Sequence, residues 1–264
     1  MMSETSQTAR AIPSDWLSWF LAAAIAGNLF SIVTVNYWIY YARSAFIARN
    51  PAYVAEQPPT ISRAISDPFV GVPFAFWITV SAVLLVLGVL ALTLVYVRLA
   101  RVVPFETEAQ RRTLVGAVFA VLIAQGFASV GMYMLSNFRF PDDNGWHMIG
   151  SYIFFVAEAL VIVGGIVACS ALLRSRVSTD MLETLGFARR PVILFRKWAG
   201  VLSVGLTVFY ILLFKAKDID FGEANTAIYA TYVLVEPMVI SSFLLFLALF
   251  QVDLWAMIRS RRID

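Results

Sequence analysis

Residues 135–160 read LSNFRFPDDNGWHMIGSYIFFVAEAL and contain the only histidine of the chain, His147, followed eleven residues later by an acid, Glu158, inside an apolar run. An imidazole changes charge near neutral pH, and an acid within an apolar segment is a candidate proton, cation or ligand site. Residues eleven apart on a helix differ by about 20° in azimuth, so His147 and Glu158 share a face with Ser151 and Gly165. The same period aligns Asn225, Tyr229, Tyr232 and Glu236 in the last apolar run, and Gln125, Ser129 and Ser136 in the third. Depth coincides as well. Glu158 and Glu236 each lie eleven residues from the same end of their runs, and Gln125 lies twelve from Asn137. At about 1.5 Å per residue each sits roughly 16–18 Å down, near the middle of a bilayer. Asn28 reaches a similar level in the first run.

Other chemistry is hard to build from these residue types. A catalytic zinc usually takes three protein ligands, which one histidine and one cysteine, Cys169, do not supply; bis-histidine haem fails on the same count. There is no Gly-x-Ser-x-Gly elbow, no His-Glu-x-x-His helix and no phosphate-binding glycine loop. No lysine lies deep in a late run to carry a retinal Schiff base. Ser151 stands one helical turn from His147 on the same face, which is poor geometry for a nucleophile and its base. The expectation is no enzyme: no catalytic residue, no metal and no cofactor.

Composition says which elements hold these groups. Of 264 residues, 60% are hydrophobic and 14% charged, whereas charge in soluble domains is nearer about a quarter. Six apolar runs exceed eighteen residues, near 16–41, 73–97, 113–136, 147–173, 197–215 and 225–252. A helix of about 20 residues crosses the hydrocarbon, and a barrel strand needs only about 10 alternating ones, so the run lengths predict helices. The chain is therefore expected to be an all-α membrane protein, a six-transmembrane-helix bundle forming a single integral membrane domain over 1–264. The N-terminal MMSETSQTARAIPSD lacks a basic region before a short apolar core, so the first run reads as a retained span.

Orientation follows from basic residues in short loops. Fourteen lie at the N-terminus, in 98–112, in 174–197 and in the tail (Arg10, Arg196, Arg261 and Arg262 among them), against six on the other side. Both N- and C-termini are thus expected to be cytoplasmic. The long Pro-rich first outer loop, ARNPAYVAEQPPTISRAISDPFVGVP, holds Pro51, Pro58, Pro59, Pro68 and Pro73, and reads as turns or extended chain rather than helix. The inner loop before the fifth run has an amphipathic middle at Met181, Leu182 and Leu185, which suits either a short interfacial helix or ordinary positive-inside charge. Arginine outnumbers lysine 17 to 3, a bias that fits a GC-rich bacterial genome and with it a bacterial inner membrane.

Isolated carboxylates at the midplane cost about 2.5–3.5 kcal/mol on insertion scales, so Glu158 and Glu236 should face the bundle and find partners. No basic residue lies at that depth in the runs as drawn, and were the two acids to meet they would share a proton. The bland reading makes them, with Gln125, interhelical hydrogen-bond glue; the sharper one makes them a proton, cation or ligand site. His147 divides the same way, into an interfacial hydrogen-bonding group or a pH-responsive latch beside Asp142 and Asp143.

Asn137-Phe138, a short polar insert and His147-x-x-Gly150 leading into an aromatic-rich span together resemble a motif of the DRAM/Frag/Sfk family. Pro59-Thr60-Ile61-Ser62 in the first outer loop is similar to another family segment, and Glu236 followed seven residues later by Phe243 is similar to a third. Thr60, Arg63 and Pro237 depart from the pattern, Pro237 standing where the family tends to have Trp. Such proteins act in autophagy control, lipid remodelling of glycosylphosphatidylinositol anchors and phosphoinositide-kinase recruitment. The resemblance thus implies a non-enzymatic multi-pass protein of lipid-associated membrane organisation or regulation, and it transfers Asn137, His147, Gly150, Ser62 and Glu236 as matching positions. The candidate binding or polar-seam residues are Asn137, His147, Glu158, Glu236, Gln125, Ser62 and Asp67. Membrane lipid is the expected partner, with a homo-oligomer or another membrane protein beside it and no nucleic acid. On this reading Asn137, His147 and the loop 58–67 gather at the outer face, with His147 above Glu158. The alternative is a small proton- or cation-coupled transporter or channel using Glu158 and Glu236.

Overall fold

A computed structural model of the protein describes residues 14–260. Arg10, Arg261 and Arg262, counted above for orientation, lie outside them, as does most of the N-terminal segment read as lacking a leader. In chain order the helices are α1 (Ser14–Arg49), α2 (Pro51–Glu56), α3 (Ile61–Ala64), α4 (Pro68–Val102), α5 (Glu108–Asn137), α6 (Asn144–Leu173), α7 (Arg176–Thr184), α8 (Arg190–Ala216), α9 (Asn225–Ala248) and α10 (Gln251–Ser260). Six are long and apolar enough to cross a membrane: α1, α4, α5, α6, α8, and α9 continued by α10. No strand occurs among the described residues. Hydrocarbon offers no water to backbone N–H and C=O groups, so long apolar runs satisfy them internally as helix. Each span packs on the next in sequence, and α9 with α10 returns to α1, which closes a ring. Short connections alternate the spans. The ring therefore has a loop end, carrying α2, α3 and residues 138–143, and an opposite end carrying α7 and α10.

The Pro-rich loop is not the extended segment its composition suggests, because it folds into α2 and α3 between prolonged α1 and α4. Pro51 and Pro68 stand in the first turns of helices, where a missing N–H leaves no bond unmade and the fixed φ suits the turn. Thr60 caps α3 by accepting from Arg63 N, and Asp67 caps α4 by accepting from Phe69 N at 3.0 Å. Residues read as breaks are helix starts. The amphipathic inner segment is helical too: α7 buries Leu182 against the bundle, and Ser178 Oγ donates to the Pro104 carbonyl at 2.6 Å.

Two contacts fix how the spans meet. α5 and α6 cross closely at Gly131 and Gly150: a Cβ on Gly131 would fall 2.5 Å from Phe154 N, and one on Gly150 would fall 2.7 Å from Leu135 N. Small residues at a crossing let backbones approach in this way. At the opposite end Arg196 of α8 and Asp253 of α10 form an ion pair at 2.6 Å, with side chains 1% and 2% exposed. Tyr96 of α4 donates to Asp253 Oδ2 at 2.5 Å, and the Arg196 guanidinium lies 4.7 Å from the centre of the Phe250 ring. Sequence reading leaves Arg196 in the inner loop, but α8 begins at Arg190 and carries it inside the bundle.

Candidate functional site

α3 lies over the loop end of the ring, and side chains from two spans hold it there. His147 is in the first turn of α6 and is 2% exposed. Its Nδ1 lies 2.9 Å from the Phe138 carbonyl oxygen. A carbonyl can only accept, so Nδ1 carries a proton and donates. Nε2 lies 2.8 Å from Ser62 Oγ, and in the neutral ring it accepts the serine proton. Glu236 of α9, 4% exposed, accepts the Ile61 N–H on Oε2 at 2.8 Å. Adjacent residues of α3 are thus tied to α6 and to α9.

Glu236 precedes Pro237, which lies inside α9. A proline in a helix has no N–H for the carbonyl four residues back. That carbonyl belongs to Val233, and Arg43 Nη1 of α1 donates to it at 3.4 Å. A cation absent from the apolar runs as drawn therefore sits one turn from Glu236. Beneath α3 is a cavity of about 40 Å³ with Ile39, Phe74 and Phe154 among its walls and Ser62, Ser151 and Glu236 as its polar groups. Such a volume holds a few waters at most, not a lipid tail.

The polar seam stops there. Glu158 does face inward, 2% exposed, as the cost of a carboxylate in lipid requires. Its partner is Gln125 of α5, whose Nε2 donates to Oε1 at 3.3 Å, while Glu158 Oε2 and Gln125 Oε1 are buried without hydrogen bonds. No hydrogen bond among the described residues joins Glu158 to His147 or to Glu236. Asn137 turns outward and donates to Thr79 Oγ1 at 3.2 Å and to the Tyr133 carbonyl at 2.9 Å, so it joins neither His147 nor α3. Asp67 also stays apart. It caps α4 and pairs with Arg49 at 2.9 Å, and that hydrogen bond holds its carboxyl below the usual carboxylate range. Asn28 donates to Gln251 of α10 at 3.1 Å. Among the described residues no three His, Cys, Asp or Glu side chains gather as a metal site would need.

A serine hydroxyl on an imidazole whose other nitrogen is fixed has the hydrogen-bond order of a nucleophile and its base. Here the third member is a carbonyl, and the Ile61 N–H next to the serine already holds a carboxylate. A developing oxyanion needs free donors at that point. The bonds that are present tie α3 to α6 and α9. His147→Ala would leave the Ser62 hydroxyl and the Phe138 carbonyl unpaired, at about 1–3 kcal/mol for each group that water cannot reach. Tryptic cleavage after Arg63 should then run at least about fivefold faster in the folded protein, because cleavage follows the population of the opened segment. Equal protection in both proteins would mean the histidine ties nothing down.

Sequence reasoning missed Arg43 and the Arg196–Asp253 pair. The signal for the first was present: a proline inside an apolar run announces an orphaned carbonyl four residues earlier. In comparison with known proteins, the family model described as the Frag1/DRAM/Sfk1/Cwh43P N-terminal domain matches residues 15–257. No curated protein and no solved structure matches the chain.

Proposed function

Since the chain belongs to the Frag1/DRAM/Sfk1/Cwh43P family, we propose that this multi-pass membrane protein organises or regulates its membrane through bound lipid, without catalysis. The observation that carries the reading is the double tether of α3. The imidazole, the Ser62 hydroxyl and the Glu236 carboxylate all engage partners that hold α3 on the bundle, which supports a structural over a catalytic use of these groups. A bacterial inner membrane with both termini in the cytoplasm is the setting we assign it, from the distribution of basic residues. Proton or cation transport through Glu158 and Glu236 has less support, since each acid has its own partner and no hydrogen-bonded path among the described residues joins them. The test is native mass spectrometry of the protein extracted in mild detergent. A phospholipid adduct at about one per chain is expected to survive gas-phase release from the micelle. Protein that emerges bare at the lowest release energies would sink the reading.

A further inference from the structure

At the loop end α4 and α5 border an open groove of about 400 Å³ lined by residues that include Val72, Phe76, Thr79, Tyr133, Asn137 and Arg139. Its polar groups are mostly unspent donors. The Arg139 side chain makes no ion pair or hydrogen bond with the described residues, and its Nη1 is buried with no acceptor. Thr79 Oγ1 accepts from Asn137, which leaves its own proton free, and the Tyr133 hydroxyl donates to no described residue. No carboxylate lines the groove. One positive charge with hydroxyl donors and no negative charge recognises an anion, and guanidinium suits phosphate oxygens in particular.

The walls narrow the choice. Val72 and Phe76 are 57% and 59% exposed on the outside of the ring, where hydrocarbon and headgroups surround a spanning bundle. An occupant must then carry its anion on an apolar body. Gly71 keeps the arginine in place, since a Cβ there would fall 2.6 Å from Arg139 Nη1 and 2.9 Å from its Cδ. Neighbouring guanidinium groups are otherwise engaged: Arg49 pairs with Asp67, and Arg63 lies 4.8 Å from the centre of the Tyr53 ring.

We infer that this groove binds an anionic phospholipid, with its phosphate on Arg139 and the Thr79 hydroxyl and its glycerol and upper acyl carbons against Val72 and Phe76. The inference rests on the lipid-associated reading above and gives it a place and a headgroup chemistry. Basic pockets between spans hold anionic headgroups by the same physics.

The full chain in detergent is titrated with dioctanoyl phosphatidylglycerol and read by native mass spectrometry, with dioctanoylglycerol as the phosphate-free probe. Wild type should take up the phospholipid and largely ignore the diacylglycerol. Arg139→Gln should weaken binding at least about tenfold, as loss of charge-assisted bonds does, and Arg139→Lys, which keeps the charge, should fall between. Lys215→Gln removes one positive charge at the loop end outside the groove and should bind as wild type does. Equal uptake by Arg139→Gln would overturn the site while leaving lipid association standing. Equal uptake of diacylglycerol would overturn the phosphate. Displacement by millimolar inorganic phosphate would make it a site for free anion, and an Arg139-dependent dimer in place of a lipid adduct would make it a protein contact. A wild-type chain that binds no lipid would remove the lipid-associated reading itself.

Discussion

Asp253→Ala should cost about 3–5 kcal/mol of stability, because it strands the Arg196 guanidinium in the interior. Both side chains are almost wholly buried, joined by bonds of 2.6 and 3.2 Å, and Tyr96 adds a third bond to the same carboxylate. Two ions taken out of water repay their desolvation only together; one alone has nothing to offset it. The double variant Arg196→Met, Asp253→Leu, which removes both charges and refills the space, should recover most of the loss. Unfolding titrations of the two variants and wild type in the same detergent give the comparison. A single variant within about 1 kcal/mol of wild type, the size of an exposed pair, would show that water reaches the pair and that it locks nothing.

Gly150→Val is expected to damage the fold by another route. The added Cβ would fall 2.5 Å from Met134 Cβ and 2.7 Å from Leu135 N, and a backbone atom cannot swing aside as a side chain can. α5 and α6 would have to part, at about 1–3 kcal/mol or more for overpacking. His147 lies one turn away on α6, so the α3 tether should loosen with it. Gly126→Val is the control, since a Cβ at Gly126 meets nothing within 4 Å. Melting of monodisperse protein should fall for Gly150→Val and barely move for Gly126→Val. If both melt with wild type, the crossing is looser than these distances say.

Run length and charge cost make the spans readable from sequence, because each depends only on the residue and the solvent it meets. Glu158 points inward for that reason. Partner choice is not readable in the same way. His147 and Glu158 do share an azimuth, yet about 16 Å of helix lies between them, and each found a neighbour on another element at its own level: Ser62 for the histidine, Gln125 for the acid. Which neighbour that is depends on how α3 and α5 are rotated, and spacing within α6 carries no information about it. Helix ends were lost for a related reason. Pro51 and Pro68 carry the same letter whether they break a helix or begin one, and the outcome turns on the caps and packing around them.

The proline inside α9 has a consequence for descent. While position 237 is proline, the Val233 carbonyl depends on a donor from α1, and Arg43 supplies it. A lineage that acquires an N–H at 237 closes that carbonyl within α9 and releases position 43 from being basic. A lineage that loses Arg43 first is left with a bare carbonyl beside Glu236. The two positions are therefore coupled: Arg43 can be replaced without stranding the Val233 carbonyl only where residue 237 carries an N–H.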